Sequence, residues 1–146
     1  MKVYIDIGHG GNDPGAVSKP FIEHEMAMVT GLAMADQFHK RGADVKVEPG
    51  NLEITASARL ANSFGADILL SVHYNAGGGD RGEVIYSWKS GALLLANIVA
   101  DGLKMAGQSV VRVYKSKANS AGNAEYFGIL RAATMPAVIR ITPACA

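Results

Sequence analysis

Ile68-Leu69-Leu70-Ser71-Val72-His73 is the stretch on which the fold turns. It carries an almost unbroken apolar interior between Asp67 and a histidine. A strand half-exposed to water alternates polar and apolar residues, whereas one covered on both faces reads as a continuous apolar run. The segment therefore predicts a central parallel strand sandwiched between helical layers. Similar short runs lie upstream at Val3–Ile7 and Val45–Val47, and downstream at Gly82–Trp88, Val110–Tyr114 and Pro136–Ile139. Longer helical stretches fall between them. Glu23–Arg41 presents Met28, Leu32, Ala35 and Phe38 on one face and is stopped by Gly42, after Lys40 and Arg41 have put positive charge at the negative end of the helix dipole. Ile54–Phe64 presents Ile54, Ala58, Ala61 and Phe64, and Ser90 is placed to cap a third helix reaching Met105. Residues from Asn75 to Gly79 and from Lys115 to Ala124 read as loop, and Tyr126–Leu130 as strand or helical turn. Strands alternating with helices give an α/β fold: a single domain with a largely parallel twisted sheet and helices on both faces.

Composition agrees with one packed domain of 146 residues. Hydrophobic residues make up 49% of the chain, enough for a core and incompatible with disorder. Fourteen Lys and Arg against thirteen Asp and Glu leave a net charge of +1, with no electrostatic footprint for nucleic acid or an anionic membrane. The one cysteine, Cys145, excludes an internal disulfide. No apolar run nears the ~18 residues of a spanning helix, so membrane insertion is not expected. The amino terminus reads directly as a strand, without a signal-peptide pattern, which predicts synthesis in the cytoplasm.

In an open parallel sheet, ligands bind outside the carboxyl ends of the strands. His9 lies just past the end of the first strand, His73 at the end of the central one, and Glu23 opens the helix that starts on the same rim. Two imidazoles and a carboxylate form the ligand set of a catalytic zinc site with its fourth position open. Each also has a plainer reading: a strand-end histidine is often a hydrogen-bonded loop residue, and Glu23 and Glu25 complement the helix dipole without a metal. His24 points about 100° around the helix from Glu23. His39, in the last turn, reads as a solvated or capping residue. Met26, Met28 and Met34 read as core filler. The Gly8-His9-Gly10-Gly11-Asn12-Asp13 loop does not suit a dinucleotide, because Asp13 sits where the third small residue belongs and would oppose a pyrophosphate.

Several segments together resemble the zinc-dependent N-acetylmuramoyl-L-alanine amidases of the bacterial and phage wall-hydrolase type. They are Ile5–Ala16 with Glu23, Arg59–Asn62, Ala66–Ala76, Gly82–Val84, Phe127–Arg131 and Met135–Val138, in the family's order over nearly the whole chain. The resemblance implies that His9, Glu23 and His73 hold Zn2+. It also implies cleavage of the amide between N-acetylmuramic acid and L-alanine, with peptidoglycan or muropeptide as substrate and action at the cell wall; the sequence does not fix the oligomeric state, and a monomer is the working expectation. Arg59 and Asn75 match family positions and are expected to fix loops around the site. The family closes with a strand of the form Pro-Ala-Val-Leu-x-Glu, whose glutamate is the general base. Counting five on from Pro136 gives Ile141, and no carboxylate follows Glu125. The expectation is a single amidase domain, shortened or altered at its C-terminus, whose last strand ends near Ile141 and whose turnover is impaired. The alternative is a zinc-containing wall-binding module without catalysis.

Overall fold

The computed structural model describes residues 1–75 and 81–143. Six strands form one sheet: β1 (Lys2–Ile7), β4 (Asp44–Glu48), β5 (Ile68–Asn75), β6 (Arg81–Tyr86), β7 (Val110–Lys115) and β8 (Ala137–Pro143), in the order β4-β1-β5-β8-β6-β7. All neighbours are parallel except β6 and β8. The expected largely parallel sheet is therefore present, with one antiparallel junction. A short hairpin of β2 (Val17–Ser18) and β3 (Phe21–Ile22), absent from the sequence reading, leads into α1 (Glu23–Lys40).

Helices cover both faces. Val3, Ile5 and Ile7 of β1, with Leu70 and Val72 of β5, pack under α1 and α3 (Ala92–Met105). Tyr4 and Leu69 point the other way, into a second core under α2 (Ile54–Phe64) and α4 (Gly128–Ala132). This two-sided burial is why β5 lacks polar alternation: Leu69, Leu70, Ser71 and Val72 are each no more than 3% exposed. Burying one such aliphatic side chain contributes about 1.5–3 kcal/mol.

Some boundaries and faces differ from the sequence reading, and one ambiguity resolves. The buried stripe of α1 is Ala27, Gly31 and Ala35, while Leu32 is 53% exposed. Small residues win this face because the helix lies close on the sheet: a Cβ on Gly31 would meet Ile7 Cδ1 at 2.1 Å. Ser90 does not cap α3; Gly91 takes the cap position at φ 82°, a conformation that suits glycine, with no side-chain hydrogen bond. The ambiguous Tyr126–Leu130 segment resolves into the single helical turn of α4. The last strand continues to Pro143, because Tyr74 and Asn75 of β5 still offer register partners to Thr142 and Pro143. Of the expected Asn75–Gly79 loop, Asn75 belongs to β5 and the rest lies outside the described residues.

Candidate metal centre

The carboxyl ends of β1 and β5 and the first turn of α1 meet at one rim. Gly8 N donates to Val72 O (2.9 Å), which continues the β1–β5 ladder by one step. The chain then turns sharply at His9, whose φ of 63° is left-handed and unusual for a residue with a side chain. Such a backbone costs about 1–3 kcal/mol and is held here by its surroundings. Gly10 N donates to Asp13 O (2.8 Å), Asp13 N returns a bond to Gly10 O (3.0 Å), and Asn51 N donates to His9 O (3.1 Å).

Glu23 is 6% exposed, at the positive end of the α1 dipole. Its Oε1 accepts from Tyr74 N (3.0 Å) and its Oε2 from Ala16 N (2.9 Å). His73 Nδ1 lies 3.0 Å from Oε1, and His9 Nε2 lies 3.1 Å from Oε2. Desolvation alone would raise this carboxyl's pKa; the contacts from His73, Ala16 N and Tyr74 N and the charge of His9 outweigh it and leave the pKa below the usual carboxylate value. One ligand atom from each of His9, Glu23 and His73 lies within 4.8 Å of the others.

Two glycines make this convergence possible. A Cβ on Gly8 would stand 2.5 Å from His73 Nδ1 and Cε1. A Cβ on Gly15 would stand 2.6 Å from His9 Cδ2 and 2.7 Å from Glu23 Oε2. The rim is thus a cradle that any side chain at either position would fill. Two imidazole nitrogens and one ionised carboxylate match the donor preference of zinc, and three protein ligands leave a tetrahedral position open.

The other candidates fall elsewhere. His24 Nδ1 is hydrogen-bonded to Gly8 O (3.0 Å), so it buttresses the β1 end from outside the metal cluster. His39 and Glu25 are exposed on α1. Met28 and Met34 pack at the edge of the core as expected. Arg59 donates to Thr55 Oγ1 (3.0 Å) and reaches Glu53 (3.5 Å), bracing the start of α2. Asp13 is turned to its own loop: its Oδ2 lies 2.9 Å from His9 Nδ1 and its Oδ1 accepts from Gly15 N (2.9 Å).

A cleft of about 740 Å³ opens beside the rim, walled by Asn51, Ile54 and Phe127, with Asp6, His73 and Ile141 rising from the sheet. Ile141 is the register partner of His73. On its other flank it pairs with Glu83, whose carboxylate is held by Arg81 (2.7 Å) and Tyr114 OH (2.6 Å). Asp6 was not singled out from the sequence. Its carboxylate is buried and accepts from Ser57 Oγ (2.6 Å) and Ser71 Oγ (2.7 Å), and burial pushes its pKa up despite both donors. A lone charge inside the apolar run Val3–Ile7 was the available signal.

The N-acetylmuramoyl-L-alanine amidase family model matches residues 3–141. The chain belongs to that family. Among its relatives, the N-acetylmuramoyl-L-alanine amidase CwlM of Bacillus licheniformis is 37% identical over 84 residues, covering 54% of this chain and 33% of that protein. The endolysin of Bacillus phage SPP1 is 29% identical over 142 residues, covering 94% of this chain and 52% of the endolysin. The chain thus spans from a third to about half the length of these relatives. Of solved structures, an N-acetylmuramoyl-L-alanine amidase from Clostridium difficile 630 superposes with a TM-score of 0.77 at 28% identity, covering 95% of this chain and 77% of that one. The catalytic domain of CwlV from Bacillus (Paenibacillus) polymyxa superposes at 0.80 with 24% identity, over 96% and 78% of the two chains, and supports the shared fold. Among the described residues, no helix is long and apolar enough to cross a membrane.

Proposed function

We propose that this chain is a zinc amidase acting at the bacterial cell wall, which hydrolyses the amide between N-acetylmuramic acid and L-alanine of peptidoglycan. The observation that carries the reading is the convergence of His9, Glu23 and His73 at a glycine-built rim beside an open cleft. These three residues would hold the metal. Bound there, zinc supplies Lewis-acid polarisation of the scissile carbonyl and acidifies the attacking water. Glu23, fixed by two backbone N–H donors, keeps its negative charge aimed at the cation. Phe127, Ile54 and Ile141 give the cleft an apolar wall beside the metal cluster.

Ile141 sets the rate. The family resemblance assigns the general base to this position, next to His73 in the sheet, and an isoleucine accepts no proton. Its other neighbour, Glu83, is committed to Arg81 and Tyr114, and its pKa is held low chiefly by the Tyr114 hydroxyl. Loss of a positioned acid-base group costs ~10²–10⁴ in rate. The chain therefore binds zinc and muropeptide but turns over slowly, and Ile141→Glu raises turnover toward that ratio with little change in substrate affinity.

The test measures zinc content, then the release of new amino termini from purified walls and from a soluble muropeptide, for both proteins. About one zinc per chain is expected, lost in His73→Ala and kept in His39→Ala. No zinc uptake on titration would overturn the metal site. No new amino termini from either metal-loaded protein would overturn the amidase reading. Full turnover in the unmodified chain would overturn the role given to Ile141.

A further inference from the structure

We infer that Asp13 is a positioning residue that holds the His9 imidazole by its Nδ1, so that His9 meets the metal through Nε2. The inference rests on the zinc reading of the same site and extends it to an aspartate on the glycine-rich loop. The two ring nitrogens of His9 face different carboxylates. Nδ1 is 2.9 Å from Asp13 Oδ2, and Nε2 is 3.1 Å from Glu23 Oε2, a member of the metal cluster. Asp13 lies outside that cluster. A metal shared by Glu23 and His9 would take the Nε2 lone pair, which leaves the proton on Nδ1, where the Asp13 carboxylate accepts it.

Asp13 is itself held still. Its Oδ1 accepts from Gly15 N at 2.9 Å, and its backbone is paired twice with Gly10. A fixed acceptor matters here because the His9 backbone is left-handed and its ring stands at the rim, 27% exposed. His73 is arranged differently. Its Nδ1 is the nitrogen directed at Glu23, and the absence of a side chain on Gly8 makes room for the ring. The two histidines therefore present different nitrogens to one metal, and Asp13 acts on His9 alone.

Asp13 is 67% exposed on its side chain, so its removal leaves the core untouched. Carboxylates behind metal-bound histidines are worth 10–100-fold in metal affinity. The experiment compares the parent, Asp13→Ala, Asp13→Asn, His9→Ala and the Asp13→Ala/His9→Ala double variant. Zinc affinity is measured by chelator competition, imidazole 15N shifts are recorded on the zinc-loaded proteins, and urea unfolding reports the fold. In the zinc-loaded parent, His9 is bound through Nε2 and protonated at Nδ1. Asp13→Ala binds zinc 10–100-fold more weakly, with an unfolding midpoint close to the parent's. Asp13→Asn recovers part of the affinity, because its single oxygen is shared between His9 and Gly15 N. In the His9→Ala background, Asp13→Ala has no further effect.

Unchanged zinc affinity in Asp13→Ala would overturn the inference, as would an Asp13 effect that persists without His9, or a zinc-loaded His9 bound through Nδ1. A parent that binds no zinc would defeat the metal reading, and the inference with it.

Discussion

Gly8→Ala tests the geometry of the rim with a single methyl group. The added Cβ would lie 2.5 Å from His73 Nδ1 and Cε1, and ordinary contact begins near 3.4 Å. The ring must recede by the difference, about 0.9 Å. Gly8 is not among the positive-φ glycines, so alanine brings no backbone strain and the whole effect falls on His73. Overpacking in a rigid core costs about 1–3 kcal/mol. His73 stands at the rim with its side chain 28% exposed, so its ring swings outward and the cost to the fold stays near the low end, about 1 kcal/mol. Zinc is less forgiving, because ligand distances are held to about ±0.2 Å. Zinc affinity should fall ~100-fold or more, at least the loss produced by disturbing a ligand's support. Chelator competition reads the affinity, and urea titration of the metal-free protein reads the fold. Gly102→Ala is the matched control: it is an exposed position on α3 with nothing within 4 Å of the new methyl. It should stabilise by about 0.5–1 kcal/mol through helix propensity, with zinc affinity unchanged. Parent-like zinc affinity in Gly8→Ala would refute the argument that His73 Nδ1 is confined against β1.

Burial raises the pKa of Asp6 above its usual 3.8, so the folded protein holds that proton more tightly than the unfolded chain. Stability from this group is then full below about pH 4 and is lost as pH rises toward the raised value. The melting temperature of Asp6→Asn should accordingly gain on the parent between pH 4 and pH 7, and a difference that is flat or falls with pH would contradict the burial argument. Lys89 Nζ bonds Glu125 Oε1 (2.9 Å) and the Leu130 carbonyl (3.0 Å), pinning α4 and the cleft wall at Phe127. Lys89→Met strands the buried Glu125 and should cost about 3–5 kcal/mol in urea unfolding, part of which Glu125→Gln restores in the same chain.

The layered α/β architecture was legible in the sequence because two-sided burial leaves its mark on single strands. Ile68–Val72 could be almost unbroken in apolar character only under two helical layers, and the structure supplies both. The topology rule for parallel sheets also brought His9, Glu23 and His73 to one rim before any coordinates, since strand ends and helix starts share an edge. The packing face of α1 was legible in part. Periodicity nominated Met28, Ala35 and Phe38, which meet the core, but also Leu32, which is exposed; how near a helix lies to its sheet is set by the facing side chains, and Ile7 leaves room only for Gly31. The β2–β3 hairpin and the turn of α4 were too short to print a period.

Asp6, Ser57 and Ser71 come from three separate elements, and Phe127 reaches the cleft from a fourth. No spacing rule links such residues, because their proximity is a product of sheet order. The sequence alone determined that position 141 carries an isoleucine where the family resemblance expects a carboxylate. Only the tertiary structure decided its neighbours, because it is strand pairing that sets Ile141 beside His73 and leaves Glu83 on the far flank, tied to Arg81 and Tyr114. Residue types are fixed one position at a time, whereas a site is fixed by distances between positions far apart in the chain.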